Sequence, residues 1–513
     1  MATDYDRVPY PCHAHPQTHP AHLAVMARLR GMRPAAPEAC RFLEIGCGDG
    51  GNLMPMALEY PGSQFLGIDL AESSIERARQ SAARFGTSQV EFRAQDIMDL
   101  KPGELGQWDY VVAHGVFSWV PEPVRLRLLA VCRELLAPDG VAYISYNAYP
   151  GAHLRAIPRE MMLYHTKKVA EPEVRVAQAR ELMRLVAENQ SGRDAVSAIV
   201  LSEANRVLDS APNLLTHDDL SPDNQAYYLH EFAALAAERG LQCLGDADYA
   251  SMFGTRYPAG IRQALARLGD DDVRREQYLD FLSCRRFRQS LLCRAEIKRE
   301  RQAPLAAIKE CFFSSSAKTA SPESQLLDDS PVTFLGESDL RGEVSAPIPK
   351  LILAALGRNW PARLRFQDLR AVIATAIGSA VPSDAVAGAL RDLIEMGAAH
   401  VHHAQIRHAT TVSERPRVWD WARYQQTIGT SLTSLRHHTI QISDAFGIWL
   451  VGQLDGTQTA EAIAQKHALA AKPGPDGKLD AEKALRKARK RVASGIEKLV
   501  QFGFVPPDDP GGS

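Results

Sequence analysis

No stretch of the chain approaches the roughly 20 uninterrupted apolar residues of a membrane-spanning helix, which excludes a helical membrane protein from the reading. The opening run MATDYDRVPYPCHAHP has neither the basic flank nor the apolar centre of a secretory signal. The eight cysteines (12, 40, 47, 132, 243, 284, 293 and 311) form no CxxC pair and read as reduced thiols, several of them buried. Charge of one sign is also missing. Lys+Arg of 59 against Asp+Glu of 61 leaves a net of −2, which argues against a surface built throughout for nucleic acid or anionic lipid. The expected location is the cytoplasm of a bacterial-type cell.

What is present is ordinary globular composition, 45% hydrophobic and 23% charged, over 513 residues, enough for two to four domains. Short apolar runs at 41–45, 65–68, 90–92, 110–113 and 141–146 alternate with helical stretches at 52–60, 73–85 and 121–136. That alternation implies parallel pairing with right-handed crossovers, hence a doubly wound, Rossmann-like α/β sheet. Residues 151–219 turn helical, as at 173–188. An amphipathic helix at 225–239 and strand candidates at 241–244 and 288–293 then return to the sheet, so a helical insertion interrupts the α/β domain. The Ser/Pro-rich segment 313–347 reads as a linker. Helices at 350–356, 366–377 and 383–396 lead to a hairpin of 400–403 with 405–408, a winged-helix-like α+β arrangement. A second small module follows, with a strand and helix after 440, a helix capped by Thr457 or Thr459, a basic helix at 481–499 and a last strand at 502–505.

The most informative segment is RFLEIGCGDGGN, 41–52. A strand running into Gly46, Gly48, Gly50 and Gly51 places exposed N–H groups and a helix N-terminus at the sheet's carboxyl edge. Gly46-x-Gly48-x-x-Gly51 with Asp69 eighteen residues on also satisfies the dinucleotide fingerprint, so the loop alone leaves the ligand open. Glu44 shifts the balance, because a carboxylate there repels a pyrophosphate and attracts the ammonium of S-adenosylmethionine. Asp96, with Ile97, follows the third strand, where a carboxylate can accept from an adenine amino group. The late strands suit the antiparallel pair that ends a methyltransferase sheet.

Together these residues resemble a class I S-adenosylmethionine-dependent methyltransferase over about 1–295. The runs VPYPCHAHPQTHPAHLA (8–24), EIGCGDGGNLMPMA (44–57), AHGVFSWVPEPVR (113–125) and SYNAYPGAHLR (145–155) carry a narrower resemblance. They are similar to bacterial methyltransferases with a methyltransferase regulatory domain, the group containing the rickettsial outer-membrane-protein lysine methyltransferases. The run QAYYLHEFAALAAERGLQCLGDAD (225–248) looks like the regulatory segment itself. The resemblance implies S-adenosylmethionine as cofactor, with Glu44, Gly46, Gly48 and Gly50 around its methionine portion, Asp69 on the ribose, and Asp96 and Ile97 framing the adenine. Asn52, Leu70 and His114 join that set. It implies methyl transfer to protein lysine.

On this reading the organisation is 1–150 for the first part of the cofactor-binding core, 151–219 for the insertion and 220–295 for the regulatory segment that completes the core. The linker then takes 296–347, the winged-helix-like domain 348–415 and the second helical or winged module 416–513. Candidates for the acceptor channel stand at strand carboxyl ends. They are His114, Phe117 and Trp119 after the fourth strand and Asn147 and Tyr149 after the fifth, with Tyr10 of the N-terminal arm as a lid. No metal is expected. His13, His15, His19 and His22 lack a Cys or carboxylate partner within their run, and prolines 16 and 20 break it; His402, His403 and His408 read the same way. The basic runs 284–301 and 486–491 raise nucleic acid as a partner, but charge clusters are usually solvated faces. A protein substrate bearing the acceptor lysine, or a homodimer contact, is the preferred use of the C-terminal half. A small-molecule acceptor, and a cofactor-sensing regulatory protein that binds DNA or a partner, are the competing readings.

Overall fold

A computed structural model describes residues 10, 12–101, 103–269, 271–337, 341–470 and 480–507. Its centre is a seven-stranded sheet in the order β3-β2-β1-β4-β5-β7-β6. The strands are β1 Arg41–Ile45, β2 Gln64–Asp69, β3 Val90–Ala94, β4 Trp108–Ala113, β5 Leu136–Asn147, β6 Leu241–Asp246 and β7 Phe287–Arg294. β1 to β5 pair in parallel, and β7 runs antiparallel to both β5 and β6. The apolar runs are continuous because helices cover both faces. Along β1, Phe42 enters one hydrophobic cluster while Leu43 and Ile45 enter the other. Every strand expected from the sequence in this sheet is present, β1 with the expected bounds and the others longer at one or both ends. The helix Glu72–Phe85 stops at Gly86, whose φ of 63° closes the turn at little cost.

Helices Ala152–His165, Pro172–Glu188 and Ala195–Asp209 form the insertion between β5 and β6. They have their own small core, built on Met162, Ala179, Met183, Val207 and Leu215.

Three expectations for the C-terminal half need correction. Residues 296–347 are not a loose linker: they carry the helix Leu305–Lys309, the strand Phe312–Ser314 and the paired strands Val332–Leu335 and Arg341–Val344. Ile308, Phe313, Val332 and Phe334 belong to the same buried cluster as Phe42 and Tyr110 of the sheet, so burial of apolar side chains overrides the Ser/Pro-rich composition. The strand His400–His402 does not pair with 405–408. Its partner is Phe312–Ser314, which also pairs with Leu364–Arg365. Residues 502–505 form no strand. Phe502 ends the helix Ala481–Gln501, and Phe504 and Val505 accept single backbone bonds from Trp419 and Ala409 without forming a ladder.

The last module contains the helix Asp420–Ile428, the hairpin Ser431–Thr433 with Thr439–Gln441, and the helices Ala445–Gln453, Ala460–Leu469 and Ala481–Gln501. Leu432, Leu450, Val451, Ile463, Val492 and Ile496 make its core. Of Thr457 and Thr459, the second caps the helix: its hydroxyl accepts from the Ala462 N–H at 3.2 Å. Among the described residues no helix is long and apolar enough to cross a membrane.

The basic run 284–301 is directed largely inward. Arg288 and Arg285 bind Asp280 and Asp246, Arg288 also binds Glu276, and Arg299 binds Asp272. In the run 486–491, Arg489 pairs with Glu461 and Arg491 lies over the Phe446 ring.

Candidate active site

The carboxyl ends of β1, β2, β4 and β5 open onto a cavity of about 700 Å³. The sheet supplies its floor, the N-terminal arm one wall, and the helical insertion the roof through Arg155, Arg175, His217, Asp218 and neighbours. This is where a doubly wound sheet leaves room for a ligand, because adjacent crossovers leave on opposite faces.

Of the predicted site residues, Tyr10, Glu44, Gly46, Gly48, Asn52, Asp69, Leu70, Asp96, Ile97, His114, Trp119 and Asn147 line this cavity. Gly50, Phe117 and Tyr149 do not. Gly50 has a φ of 78°, and a Cβ there would sit 2.7 Å from the Phe92 ring, so its smallness serves loop packing against the core. Phe117 is fully buried against Tyr146, Tyr227 and Phe232. Tyr149 turns away after β5 to stack on His153, with ring centroids 4.2 Å apart, and to pack on Tyr228.

Glu44 is the most unusual group. It is 3% exposed, and one carboxylate oxygen, Oε1, accepts from Asn52 Nδ2 at 2.7 Å. The other, Oε2, is buried with no hydrogen-bond partner among the described residues. Burial is the main cause that pushes its carboxyl up to about 8, with the Asn52 hydrogen bond opposing and Asp69 assisting. An unpartnered buried carboxylate oxygen beside a glycine loop fits a cationic ligand nitrogen and repels a phosphate. Asn52 departs from the expected role of ligand contact. Its Nδ2 donates to Glu44 and Thr18, and its Oδ1 accepts from the His15 N–H and from His437 Nε2, so it holds Glu44 and the arm.

At the other end of the cavity, Asp69 accepts from Gly48 N and Ala71 N, both at 2.9 Å, which fixes its carboxylate at the tip of β2. Asp96 caps a short turn by accepting from Met98 N at 2.9 Å, with Ile97 buried beside it and Leu70 exposed at the rim.

The middle is lined by rings. His114 stacks on His15 with centroids 3.7 Å apart, and its Nδ1 lies 2.9 Å from the Tyr143 hydroxyl. Burial first, then the His15 imidazole, pushes His114 down to about 3, and burial, then His13, pushes His15 down to about 4, so both are neutral at physiological pH. No positive charge from this pair faces a cationic ligand. Asn147 is held by Ser118 Oγ on its N–H at 2.8 Å and donates its amide to Asn224 at 3.0 Å. Arg155 lies 5.7 Å over the Trp119 ring and binds Asp219.

The insertion covers the cavity as expected for 151–219, but the sequence does not single out its individual roof side chains. Asp219, 2% exposed, binds Arg155 and Arg206 with its carboxylate and Arg159 with its carbonyl, and this pins the insertion. The adjoining Asp218 lies at the cavity wall, 3.5 Å from the Arg155 guanidinium; burial raises its carboxyl and Arg155 opposes the rise. Tyr10 of the arm approaches it at 3.5 Å and lies edge-on to His217. No local pattern distinguishes Asp218 among the acidic residues of 209–223. The histidine-rich arm packs around the site: His19 faces Glu59 and His22 Nε2 reaches the Ala247 carbonyl at 2.8 Å.

Family models match three parts of the chain: a methyltransferase domain over 43–142, a predicted methyltransferase regulatory domain over 211–294, and the C-terminal winged-helix domain of PKMT over 414–498. The winged-helix match thus falls on the second small module, not on 348–415. An uncharacterized protein of Rickettsia prowazekii, RP789, is 30% identical over 471 residues, 90% of this chain and 84% of its own. A shorter uncharacterized protein of that organism, RP028, is 33% identical over 241 residues, 47% of this chain and 96% of its own. Among solved structures, PKMT2 from Rickettsia typhi in complex with AdoHcy superposes with a TM-score of 0.83 at 27% identity, covering 97% of this chain and 100% of that one.

Proposed function

The chain belongs to the class I S-adenosylmethionine-dependent methyltransferases that carry a methyltransferase regulatory domain and a PKMT-type winged helix, and on that premise we propose that its acceptor is a protein lysine. The observation that carries this acceptor is the roof of the cavity, where Asp218 faces the ring-lined middle from an insertion absent from a bare α/β sheet. Asp218 is shared with Arg155, 3.5 Å away, so an incoming ammonium competes with that guanidinium for the carboxylate, and Tyr10 beside it offers a ring to the same cation. The likeness to PKMT2 through the C-terminal half supports a macromolecular substrate.

The residues divide the work as follows. Glu44 Oε2 receives the amino group of the methyl donor, the Gly46–Gly48 turn gives its methionine portion close backbone approach, Asp69 holds the ribose hydroxyls, and Asp96 with Ile97 and Leu70 frames the adenine. When bound, S-adenosylmethionine supplies a methyl group on a sulfonium, open to in-line displacement by a neutral amine. Burial of the lysine in this cavity lowers its pKa from the ordinary value of about 10.4, against the opposing pull of Asp218, and the proton that blocks attack passes to bulk water before the amine is fully enclosed. Asn147, His114 and Trp119 orient the neutral amine and exclude water, and positioning of this kind supplies most of the acceleration. The free thiols at all eight cysteines support a reducing, cytoplasmic setting.

The test is transfer of isotopically labelled methyl from S-adenosylmethionine into the host's own lysate, followed by mass spectrometry. Methyl-lysine in protein is the expected result. Label confined to small molecules, or to DNA, overturns the acceptor. Two variants probe the roles. Asp69→Ala removes two anchored ligand bonds to a charged group, and AdoHcy affinity should fall by about 10- to 100-fold, the equivalent of roughly 1.5–3 kcal/mol. Calorimetry checks it; unchanged affinity removes the ribose role. Asp218→Asn should raise KM for the protein acceptor by about 10-fold, the scale of one charge-assisted contact. AdoHcy affinity should stay at the wild-type value, because Asp218 lies at the roof; a loss of cofactor binding would place it in the donor site.

A further inference from the structure

The hairpin of the C-terminal module packs behind the methyl-donor end of the cavity and touches Asn52, which lines it. Strands Ser431–Thr433 and Thr439–Gln441 are joined by a tight turn in which His437 N donates to Ser434 O at 2.9 Å. His437 is 4% exposed and adopts a φ of 58°, a left-handed conformation that a side-chain-bearing residue seldom takes. Its Nε2 lies 2.9 Å from Asn52 Oδ1, 385 residues away in sequence. Beside it, Thr439 Oγ1 accepts from Ala14 N at 2.8 Å, so the same hairpin also grips the arm that carries His15. The His437 ring packs 5.0 Å from that of His19.

The hydrogen-bond inventory fixes the direction of this contact. Asn52 Nδ2 has two hydrogens, directed to Glu44 Oε1 at 2.7 Å and to Thr18 Oγ1 at 3.0 Å. The Thr18 hydroxyl in turn donates to the His15 carbonyl at 2.8 Å. Asn52 Oδ1 is therefore an acceptor, shared by the His15 N–H and His437, and His437 carries its hydrogen on Nε2. Without that second donor Asn52 Oδ1 keeps only the His15 N–H and a longer approach from the Thr18 hydroxyl, so the amide that aims the open oxygen of Glu44 is held less firmly.

We infer that His437 is a positioning residue for the methyl-donor site, so that the C-terminal winged-helix module completes the cofactor pocket through the chain His437–Asn52–Glu44. The inference rests on the reading of the cavity as the methyl-donor site and is independent of the acceptor's identity. Movement of the module on a protein substrate would reach Glu44 through two hydrogen bonds.

The experiment measures AdoHcy affinity by calorimetry on the full chain, together with thermal unfolding. Wild-type binding of AdoHcy tests the methyltransferase reading itself, and its absence would sink that reading rather than this one. His437→Gly keeps the backbone conformation, since glycine takes a positive φ freely, and removes only the side chain. It should stay folded, melting a few degrees lower for the loss of a buried ring, and bind AdoHcy about 10-fold more weakly at temperatures below its transition, the scale of one neutral hydrogen bond at the upper end. His437→Gln, whose amide N–H can reach Asn52 Oδ1, should restore affinity to within about twofold of wild type. Wild-type affinity in a folded His437→Gly overturns the inference. So does an equal loss in the Gly and Gln variants, which would reduce His437 to a space-filler. If His437→Gly does not fold, His437→Asn decides: asparagine tolerates a positive φ but is too short to reach Asn52, and wild-type affinity there is equally fatal.

Discussion

Glu44→Gln should abolish the pH dependence of cofactor binding and weaken AdoHcy affinity by about 100-fold or more near pH 8, where loss of one partner of a buried ion pair costs about 3–5 kcal/mol. In the free protein the Glu44 carboxyl holds its proton up to about 8, because burial disfavours the charge and, among the described residues, nothing answers Oε2. The ammonium of the cofactor favours the ionised form, so binding below pH 8 must expel that proton. Wild-type affinity should therefore climb between pH 6 and 7.5, by up to tenfold per unit, and level off above about 8. The glutamine variant has no proton to expel at this position, and its affinity should be flat. Calorimetry in buffers of different ionisation enthalpy counts the proton directly; zero release by the wild type at pH 6.5 would show that Glu44 does not face the cofactor's charge.

The same shift has a stability consequence of opposite sense. Below about pH 4.5 Glu44 is protonated in both folded and unfolded chains and is neutral toward folding. Above it the unfolded chain ionises freely while the folded site holds its proton until about 8. Folded-state stability thus declines as pH rises through that window, by up to about 1.4 kcal/mol per unit. The cofactor-free Glu44→Gln protein should gain on the wild type from pH 5 to 8 in denaturant melts. A site that holds an unanswered carboxylate in readiness for its ligand is costly to the empty fold, and cofactor should close the gap.

Where the sequence could be read, local rules and tertiary structure agree. The run into Gly46 is an apolar strand followed by residues that demand positive φ, and the structure places the loop where a doubly wound sheet binds ligands. Glu44, Asp69 and Asp96 follow from it because each stands at or beside the carboxyl end of a predicted strand, and that end is fixed by the crossover rule. Tyr149 shows the limit of the argument. Standing just past the end of β5 placed it near the cavity, but side-chain direction beyond a strand depends on the chain's exit, and here it exits toward Tyr228. The strand Phe312–Ser314 was hidden for a different reason. Both of its partners, Leu364–Arg365 and His400–His402, lie far along the chain, and a three-residue strand has no periodicity to detect. His437 gave no signal at all, since its conformation and its contact with Asn52 arise from a module that sequence alone treats as separate.

Arg288→Met should destabilise the protein by about 3–5 kcal/mol, because it removes the cation from a buried cluster and leaves the carboxylates in place. Arg288 is 1% exposed; its guanidinium binds Asp280 at 2.7 and 3.0 Å, Glu276 at 2.9 Å and Asp246 at 3.4 Å. Burial already raises the Glu276 and Asp280 carboxyls, with Arg288 the chief force holding them down. Without it they should retain protons to higher pH in the folded state. The extra loss in the variant should accordingly be small near pH 3, where these carboxyls are largely protonated in both states, and grow as pH rises. Arg288→Met combined with Asp280→Asn should recover part of it, since one buried charge goes with the other. The cluster joins β7 to the helix Asp272–Ser283 and to β6, so it holds the helix of the regulatory segment onto the two strands that segment adds to the sheet. Register then carries the effect to the active site: Arg288 pairs with Tyr146, and the next pair along, Phe287 with Asn147, lines the cavity. The variant should therefore lose acceptor turnover before it unfolds, with AdoHcy affinity retained at temperatures below its own transition. Equal, pH-independent losses of AdoHcy binding and turnover would instead mean that the sheet fails as one unit, and that the regulatory segment has no separate hold on the acceptor end.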